Sequence, residues 1–320
     1  MSDSHSHPHK WSILFVVTLV AFITNLDATI VIIALPKIMK GLNITVITGL
    51  FTITSYIIAS TVLILPAGKW ADKVGTKRIF ILGLIIFTIS TILCGIANSG
   101  LTLIIYRIIQ GVGAALALAT STPTIVKTFP DNQLGLALGI NATSWVIGSI
   151  VGPVVGGFLI GQFGWRSIFF ITVPFVIICI AGAFLVMEDT DVHVKSKTDW
   201  VGIFTFSFGL VSIMTALSEG QSWGFLSTST IGLLLATIVS WIAFIITELR
   251  VKDPLFNFSL LSYRNYTIGR NYIELLYCIF FVAIIINNIF AKCNAPKSHE
   301  CRPSNDSTIS STTYNGSNRR

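Results

Sequence analysis

The stretch "GKWADKVGTKRIFIL", residues 68 to 82, crowds five charges (Lys69, Asp72, Lys73, Lys77 and Arg78) between two runs that carry almost none. What surrounds it decides how it is read. Hydrophobic residues make up 53% of the 320-residue chain and charged residues only 11%, with a mean hydropathy of +0.79, outside the usual range of soluble domains. A hydrocarbon core about 30 Å thick needs roughly 20 apolar residues per helix, and runs of that size recur here with short polar gaps. Nine fall near Trp11–Leu35, Ile44–Ala67, Ile79–Ala97, Leu101–Val126, Leu134–Ile160, Ser167–Met187, Trp200–Leu217, Thr228–Thr247 and Tyr272–Ala291; Glu274, Asn287 and Asn288 interrupt the last. A membrane β-barrel would instead alternate in polarity over segments of about ten residues. These runs are continuous and rich in Ile, Leu, Gly and Ala, so the chain reads as an all-α integral membrane protein. The first run is too long for a secretory signal, carries Asp27 and is followed at once by another span, so it belongs to the mature protein.

Lys and Arg assign the sides, because cytoplasmic loops hold the excess. With the N-terminus inside, the cytoplasmic segments carry Lys10; Lys69, Lys73, Lys77 and Arg78; Lys127; Lys195 and Lys197; and Arg250, Lys252, Arg264 and Arg270. The external loops before the tail carry only Lys37, Lys40 and Arg166. The expected protein is therefore multi-pass in the cell membrane with a cytoplasmic N-terminus. The formal charge of +7 is spread over these loops with no aromatic-interleaved patch, so no nucleic acid partner is expected. Cys94, Cys179, Cys278, Cys293 and Cys301 show no metal-ligand spacing and read as packing residues, although Cys293 and Cys301 could pair if the tail is external. His5, His7 and His9 form a short alternating tract of the kind that is more often inert than metal-binding. No metal and no cofactor are expected.

Sliding the chain by 89 residues reveals a repeat. "GKWADKVGTKRIF" (Gly68–Phe80) aligns with "GFLIGQFGWRSIF" (Gly157–Phe169), matching Gly68 to Gly157, Gly75 to Gly164, Lys77 to Arg166 and Ile79-Phe80 to Ile168-Phe169. Three spans separate the copies. An odd number places them on opposite membrane faces, the mark of the inverted three-helix repeats used by transporters. Asp72-Lys73 becomes Gly161-Gln162 in the second copy, so the turn is common to both and the extra charge belongs to one face.

Gly68, Ala71, Asp72, Gly75, Lys77 and Arg78 resemble the G-x-[LV]-[AG]-D-[RK]-x-G-[RK]-[RK] loop between helices two and three of the major facilitator superfamily, with Trp70 and Thr76 departing from the pattern. Further motifs follow in order. "NLDATIVIIALPKI" (Asn25–Ile38) resembles the first-helix signature of the fourteen-span drug:proton antiporters, "LIIYRIIQGVGAA" (Leu103–Ala115) the fourth-helix pattern, and "GSIVGPVVGG" (Gly148–Gly157) the antiporter fifth-helix pattern. "GWRSIFFITVP" (Gly164–Pro174) is similar to the start of helix six, with Thr172 where Asn is usual. "TDWVG" and "LSEGQSWGF" resemble two extra linker helices and their loop. The resemblance covers roughly residues 10 to 275. It implies a six-helix N-terminal bundle of the major-facilitator type, two linker helices and a partial ninth helix, working in proton-coupled efflux of lipophilic or cationic small molecules.

The residues themselves set physical demands. Asp27 lies mid-helix, where an unpaired carboxylate costs about 2.5–3.5 kcal/mol on insertion scales, so it faces the bundle or a watery cavity rather than lipid. It is either a protonatable group on a transport pathway or a structural hydrogen-bond acceptor. The Asn that usually follows "TIV" is Ile32 here. Arg107 has Gln110 three residues on, on the same helical face. By resemblance Arg107 takes part in proton coupling; the alternative is a guanidinium snorkelling to the nearby external surface. In helix five Gly148, Gly152 and Gly156 recur every fourth residue, a bare stripe that admits another helix, with Pro153 bending it. Gly111 and Gly113 read likewise as packing, and Glu219 as a solvated charge. For Gly68, Asp72, Gly75, Lys77 and Arg78 the resemblance implies a conformational-switch loop whose Asp meets a helix start in a second half-domain.

The expected organisation is a cytoplasmic tail (1–10), the six-helix bundle (11–187), two linker transmembrane helices (188–247), a cytoplasmic loop with a partial ninth helix (248–291) and a disordered polar tail (292–320), whose sequons "NDS" and "NGS" are what Ser/Asn-rich text yields by chance. A fourteen-span transporter needs several hundred residues, so the sequence reads as an N-terminal part lacking the second half-domain. Its expected partners are the lipid bilayer, protons, a small-molecule substrate and a second half-transporter chain. The competing reading is a non-transporting membrane interaction subunit or the inert remnant of an interrupted gene. No nucleophile elbow, phosphate loop or zinc motif suggests an enzyme. The orientation is checked by cysteine labels placed at Lys73 and Lys195: an impermeant reagent added to intact cells should reach neither, and labelling of both would reverse the topology.

Overall fold

In the computed structural model, residues 9–188, 199–224 and 226–251 are described; they contain helices and the turns between them. The helices are α1 (Lys10–Leu42), α2 (Val46–Val74), α3 (Thr76–Gly95), α4 (Gly100–Thr128), α5 (Asp131–Phe163), α6 (Ser167–Phe170), α7 (Thr172–Val186), α8 (Trp200–Trp223) and α9 (Thr228–Arg250). Ile171 keeps helical dihedrals between α6 and α7, so these two form one span. Eight segments among the described residues are long and apolar enough to cross a bilayer. The ninth run, Cys278, Cys293, Cys301, the polar tail, Lys195, Lys197, His5, His7 and the Glu219 side chain lie outside what is described.

Most helices outrun the apolar stretches that announce them. The second run ends at Ala67, but α2 continues to Val74, and α1 and α5 each extend to 33 residues, about 50 Å at 1.5 Å per residue. Hydropathy reports only the hydrocarbon thickness, whereas a helix satisfies its own backbone and continues into the headgroup region. Gly68 to Lys73 are accordingly helical, and the turn is reduced to Gly75 alone.

Gly75 stands at φ 112° and Gly164 at φ 81°, where an L side chain is strained. The two glycines matched by the repeat therefore make the same kind of turn. The cations matched by the repeat also act alike: Lys77 Nζ donates to Phe184 O at 3.2 Å, and Arg166 Nη2 donates to Ala97 O at 2.9 Å. Each sits at the start of one span and meets a carbonyl at the far end of the other, where helix C-terminal carbonyls lack intrahelical partners.

Packing follows small residues. α5 lies on α1 along the anticipated stripe, since side chains at Gly148, Gly152 and Gly156 would run into Phe22 O, Thr29 and Ile30 respectively. α4 lies between α2 and α3. A Cβ at Gly113 would stand 2.5 Å from Phe87 N and 2.7 Å from Gly83 O, and one at Gly111 2.7 Å from Tyr56 O. Gly83, its counterpart on α3, carries no signal in the sequence. Gly157 and Gly68 face open space.

Among the described residues three apolar clusters fill the bundle, the smallest made of Ala67, Ala71, Ile79 and Leu116; the other two are larger. One includes Leu14, Val17, Phe80, Leu84, Phe87, Cys179 and Ala183; the other Ile30, Ala34, Ile38, Cys94, Leu103, Ile168 and Phe169. Backbone cannot yield at the α3–α4 crossing, so Gly113→Ala should overpack it at a cost of about 1–3 kcal/mol. Gly157→Ala should change stability by less than about 0.5 kcal/mol. Thermal unfolding of the detergent-purified variants measures both; equal midpoints would contradict the crossing geometry.

Candidate functional site

Between the two larger apolar clusters lies a polar layer built from α1, α2, α3 and α4. Arg107 Nη1 donates to Asp27 Oδ2 at 2.6 Å, and both side chains are 0% exposed. Arg107 Nη1 also reaches Gln110 Oε1 at 2.6 Å, one helical turn along α4. Gln110 Nε2 in turn donates to Asp27 Oδ1 at 3.1 Å and to Thr91 Oγ1 of α3 at 2.7 Å. α2 closes the layer: Arg107 Nε donates to Thr52 O at 3.4 Å, and the Tyr56 ring lies 4.4 Å from the guanidinium carbon. Tyr56 itself donates to Thr24 O at 3.3 Å. Cys94, one turn beyond Thr91, contacts Gln110 Oε1 through sulfur at 3.9 Å.

The structure thus brings together Asp27, Arg107 and Gln110 and places Arg107 in the bundle, away from the external surface. Thr52, Tyr56, Thr91 and Cys94 join them, and the sequence reading missed all four roles. Threonine and tyrosine within apolar runs pass as ordinary membrane-helix residues; only the three-residue spacing of Thr91 and Cys94 hints at a shared face. Arg107 Nη2 is buried with no hydrogen-bond partner. An orphaned donor costs about 1–3 kcal/mol, more on a charged group.

Tyr56 also lines a cavity of about 410 Å³. Its polar lining is uncharged: Thr24, Asn25 and Thr29 from α1, Ser60 and Thr61 from α2, and Tyr56 itself, with Trp145 from α5 and Ile32, Ile57, Ile64 and Leu118 supplying apolar surface. Asn25 Nδ2 donates to Trp145 O across this space. Asp27, Arg107 and Gln110 do not line it. Ile32, at the position where Asn is usual in the resembled family, presents an apolar wall.

The residues of the charged loop stand apart from this layer. Asp72 and Arg78 are exposed at the helix ends, Lys77 is tied to Phe184 O, and Lys127 Nζ donates to Thr76 Oγ1 at 3.4 Å. Pro153 lies within a continuous α5. Among the described residues no group of three His, Cys, Asp or Glu side chains is placed to hold a metal.

The sequence pattern of the Major Facilitator Superfamily matches residues 17–292. The chain is 31% identical over 261 residues to the riboflavin transporter RibZ of Clostridioides difficile, covering 81% of this chain and 56% of that protein. It is 30% identical over 271 residues to the multidrug export protein EmrB of Escherichia coli K12, covering 84% and 53%, and 32% identical over 248 residues to the multidrug transporter protein MdtP of Bacillus subtilis, covering 77% and 46%. The chain spans about half the length of these relatives. Among solved structures it shares its fold with a bacterial homologue of the human lysosomal transporter Spinster (TM-score 0.51, 19% identity, 74% of this chain and 61% of that one) and with the POT family transporter PepTSo (TM-score 0.53, 13% identity, 77% and 55%).

Breaking a buried ion pair from one side leaves the other charge uncompensated, at a cost of about 3–5 kcal/mol. Arg107→Gln should therefore lower the thermal midpoint strongly, and adding Asp27→Asn should restore part of the loss. Simple addition of the two single losses in that cycle would show that the residues act independently.

Proposed function

This chain belongs to the major facilitator superfamily, a family of transporters, and we propose that it supplies the N-terminal bundle of a proton-coupled exporter of lipophilic small molecules. The observation that carries this reading is the buried Asp27–Arg107 pair, whose guanidinium lies against the ring of Tyr56, a residue that also lines an open cavity. Ionisable groups inside a membrane are expensive and mark ion or substrate pathways. Stability is a poor alternative account, because a buried pair with an orphaned donor returns little net free energy.

The proposed cycle uses this chain's own groups. Substrate occupies the cavity against Trp145, Ile32 and Ile57, hydrogen-bonded by Asn25 and the hydroxyls. A proton arriving at Asp27 neutralises the carboxylate and releases Arg107 from its strongest partner. The guanidinium then redistributes among Gln110, Thr52 O and the Tyr56 ring, and a shift of that ring changes the cavity wall. Proton and substrate thus oppose each other through one shared residue. Kinship with multidrug and riboflavin transporters supports a substrate of this apolar, hydrogen-bonding kind.

Alternating access requires two bundles rocking about a midplane site. The described residues supply one, so the proposed transport unit pairs it with a second half-domain, and the orientation with Lys69 to Arg78 in the cytoplasm remains part of the proposal. Liposomes containing this chain together with a second half-transporter chain, given a pH gradient and a fluorescent lipophilic cation, test it. Gradient-dependent movement is expected with the wild type, none with Asp27→Asn, and none with this chain alone. Undiminished movement by Asp27→Asn would remove Asp27 from coupling; movement by the chain alone would remove the need for a second bundle.

A further inference from the structure

No charged side chain among the described residues lines the cavity beside Tyr56, so selection there falls to hydrogen bonding, and its groups are unevenly split between donors and acceptors. Most of its hydroxyls have already committed their one hydrogen. Thr24 Oγ1 donates to Val20 O at 2.9 Å, Thr29 Oγ1 to Asn25 O at 3.0 Å, Ser60 Oγ to Ile57 O at 2.9 Å and Tyr56 Oη to Thr24 O at 3.3 Å. A hydroxyl that donates to the backbone keeps its lone pairs, so it meets a ligand as an acceptor. Asn25 is similar, because one amide hydrogen goes to Trp145 O and Oδ1 is left to accept. Position narrows the set. Thr24 and Tyr56 are buried, and Thr29 Oγ1 lies where a side chain at Gly152 of α5 would stand. Asn25, Ser60 and Thr61 are half-buried and reach the cavity.

Given the reading above that substrate occupies this cavity, we propose that it selects flat aromatic molecules whose edge carries N–H groups, with Asn25 Oδ1, Ser60 Oγ and Thr61 Oγ1 as the acceptors. Trp145, Ile32, Ile57 and Ile64 are exposed and give the aromatic body its apolar contact. At about 410 Å³ the space falls within the range of drug-sized sites, roughly 300–1,000 Å³. Asn25 stands on α1 and Ser60 and Thr61 on α2, so acceptors come to the ligand from two helices. A ligand N–H leaves every existing bond of the lining in place. A ligand carbonyl is served less well. It would draw Ser60 away from Ile57 O, and otherwise has only the Thr61 hydroxyl, the second Asn25 amide hydrogen and the Trp145 indole to donate to it. The preference is therefore for the donor-bearing member of any pair of molecules that match in ring and charge.

Equilibrium dialysis of the detergent-purified full chain against proflavine and acridine orange tests the selection. The two dyes share a tricyclic ring and a positive charge, but methyl groups replace the amino hydrogens in acridine orange. Proflavine should bind about tenfold more tightly, the worth of one good hydrogen bond, although it has the smaller apolar surface. Ser60→Ala combined with Thr61→Val should weaken proflavine to the level of acridine orange and leave acridine orange unchanged. Trp145→Ala should weaken both dyes alike. Thr143→Val, which removes an exposed α5 hydroxyl bonded to Gly139 O outside the cavity, should change neither. Equal or tighter binding of acridine orange, a preference that survives the double variant, or no saturable binding of either dye would overturn the selection. Dialysis involves neither a pH gradient nor a second chain. Lost preference beside intact gradient-driven movement overturns the selection alone, whereas intact preference beside undiminished movement by Asp27→Asn supports the selection and removes only the coupling.

Discussion

A carboxylate and a guanidinium 2.6 Å apart, closed to solvent in the middle of an apolar bundle, set the terms for the helices around them. Arg107 is held there by the acceptors that its Nε and Nη1 find, from α1 (Asp27), α2 (Thr52) and its own helix (Gln110), while Gln110 draws in Thr91 of α3. Four helices are thus held in mutual register by one cluster. The glycine contacts are the steric counterpart. Gly111 lets α4 close on α2, and Gly113 with Gly83 lets it close on α3, which brings Arg107 and Gln110 within reach of their partners. The cluster's contribution is to fix which faces meet rather than to add net stability, since desolvating both charges offsets most of their attraction.

The inverted repeat supplies the frame for that cluster. Three-helix units related by 89 residues share a glycine turn with positive φ and a following cation that meets the opposite span's last carbonyls. This reciprocity ties α3 to the α6–α7 span at both membrane faces. Asp27 and Arg107 break the symmetry: the shift of 89 residues sets Leu116 against Asp27 and Thr18 against Arg107, so neither charge has a charged counterpart in the other copy. Backbone architecture follows the duplication, and the chemistry departs from it.

Much of this was legible beforehand. Continuous apolar runs located all eight described spans, because hydrocarbon thickness fixes a minimum length that composition must meet. Helix ends were not legible, since nothing in hydropathy stops a helix at the headgroups; α2 therefore runs seven residues past Ala67, to Val74. Asp27 and Arg107 stood out by exclusion, as charges that lipid cannot accommodate, but sequence alone gave no means of choosing their partners. The stripe Gly148, Gly152 and Gly156 was visible through its period, whereas Gly83 had no period and Gly157 belongs to the motif without touching a neighbour. Tyr56 was hidden because a tyrosine in an apolar run needs no explanation until its ring is found against a guanidinium.

Tyr56 is also where the two halves of the proposed chemistry meet. Its hydroxyl is held by Thr24 O, one face of its environment is the Arg107 guanidinium, and another is the cavity. A cation over an aromatic face is attracted by about 0.5–2 kcal/mol, the upper figure applying when both are desolvated. Freed from Asp27, Arg107 would lean more heavily on that ring; paired, it leaves the ring to be positioned by packing. A difference of this size multiplies an equilibrium by up to about thirtyfold, within the range of coupling free energies that link two ligands in one protein. The separation of ion pair and cavity is therefore compatible with coupling between them: the residue that lines the cavity is itself the element whose position the charges influence.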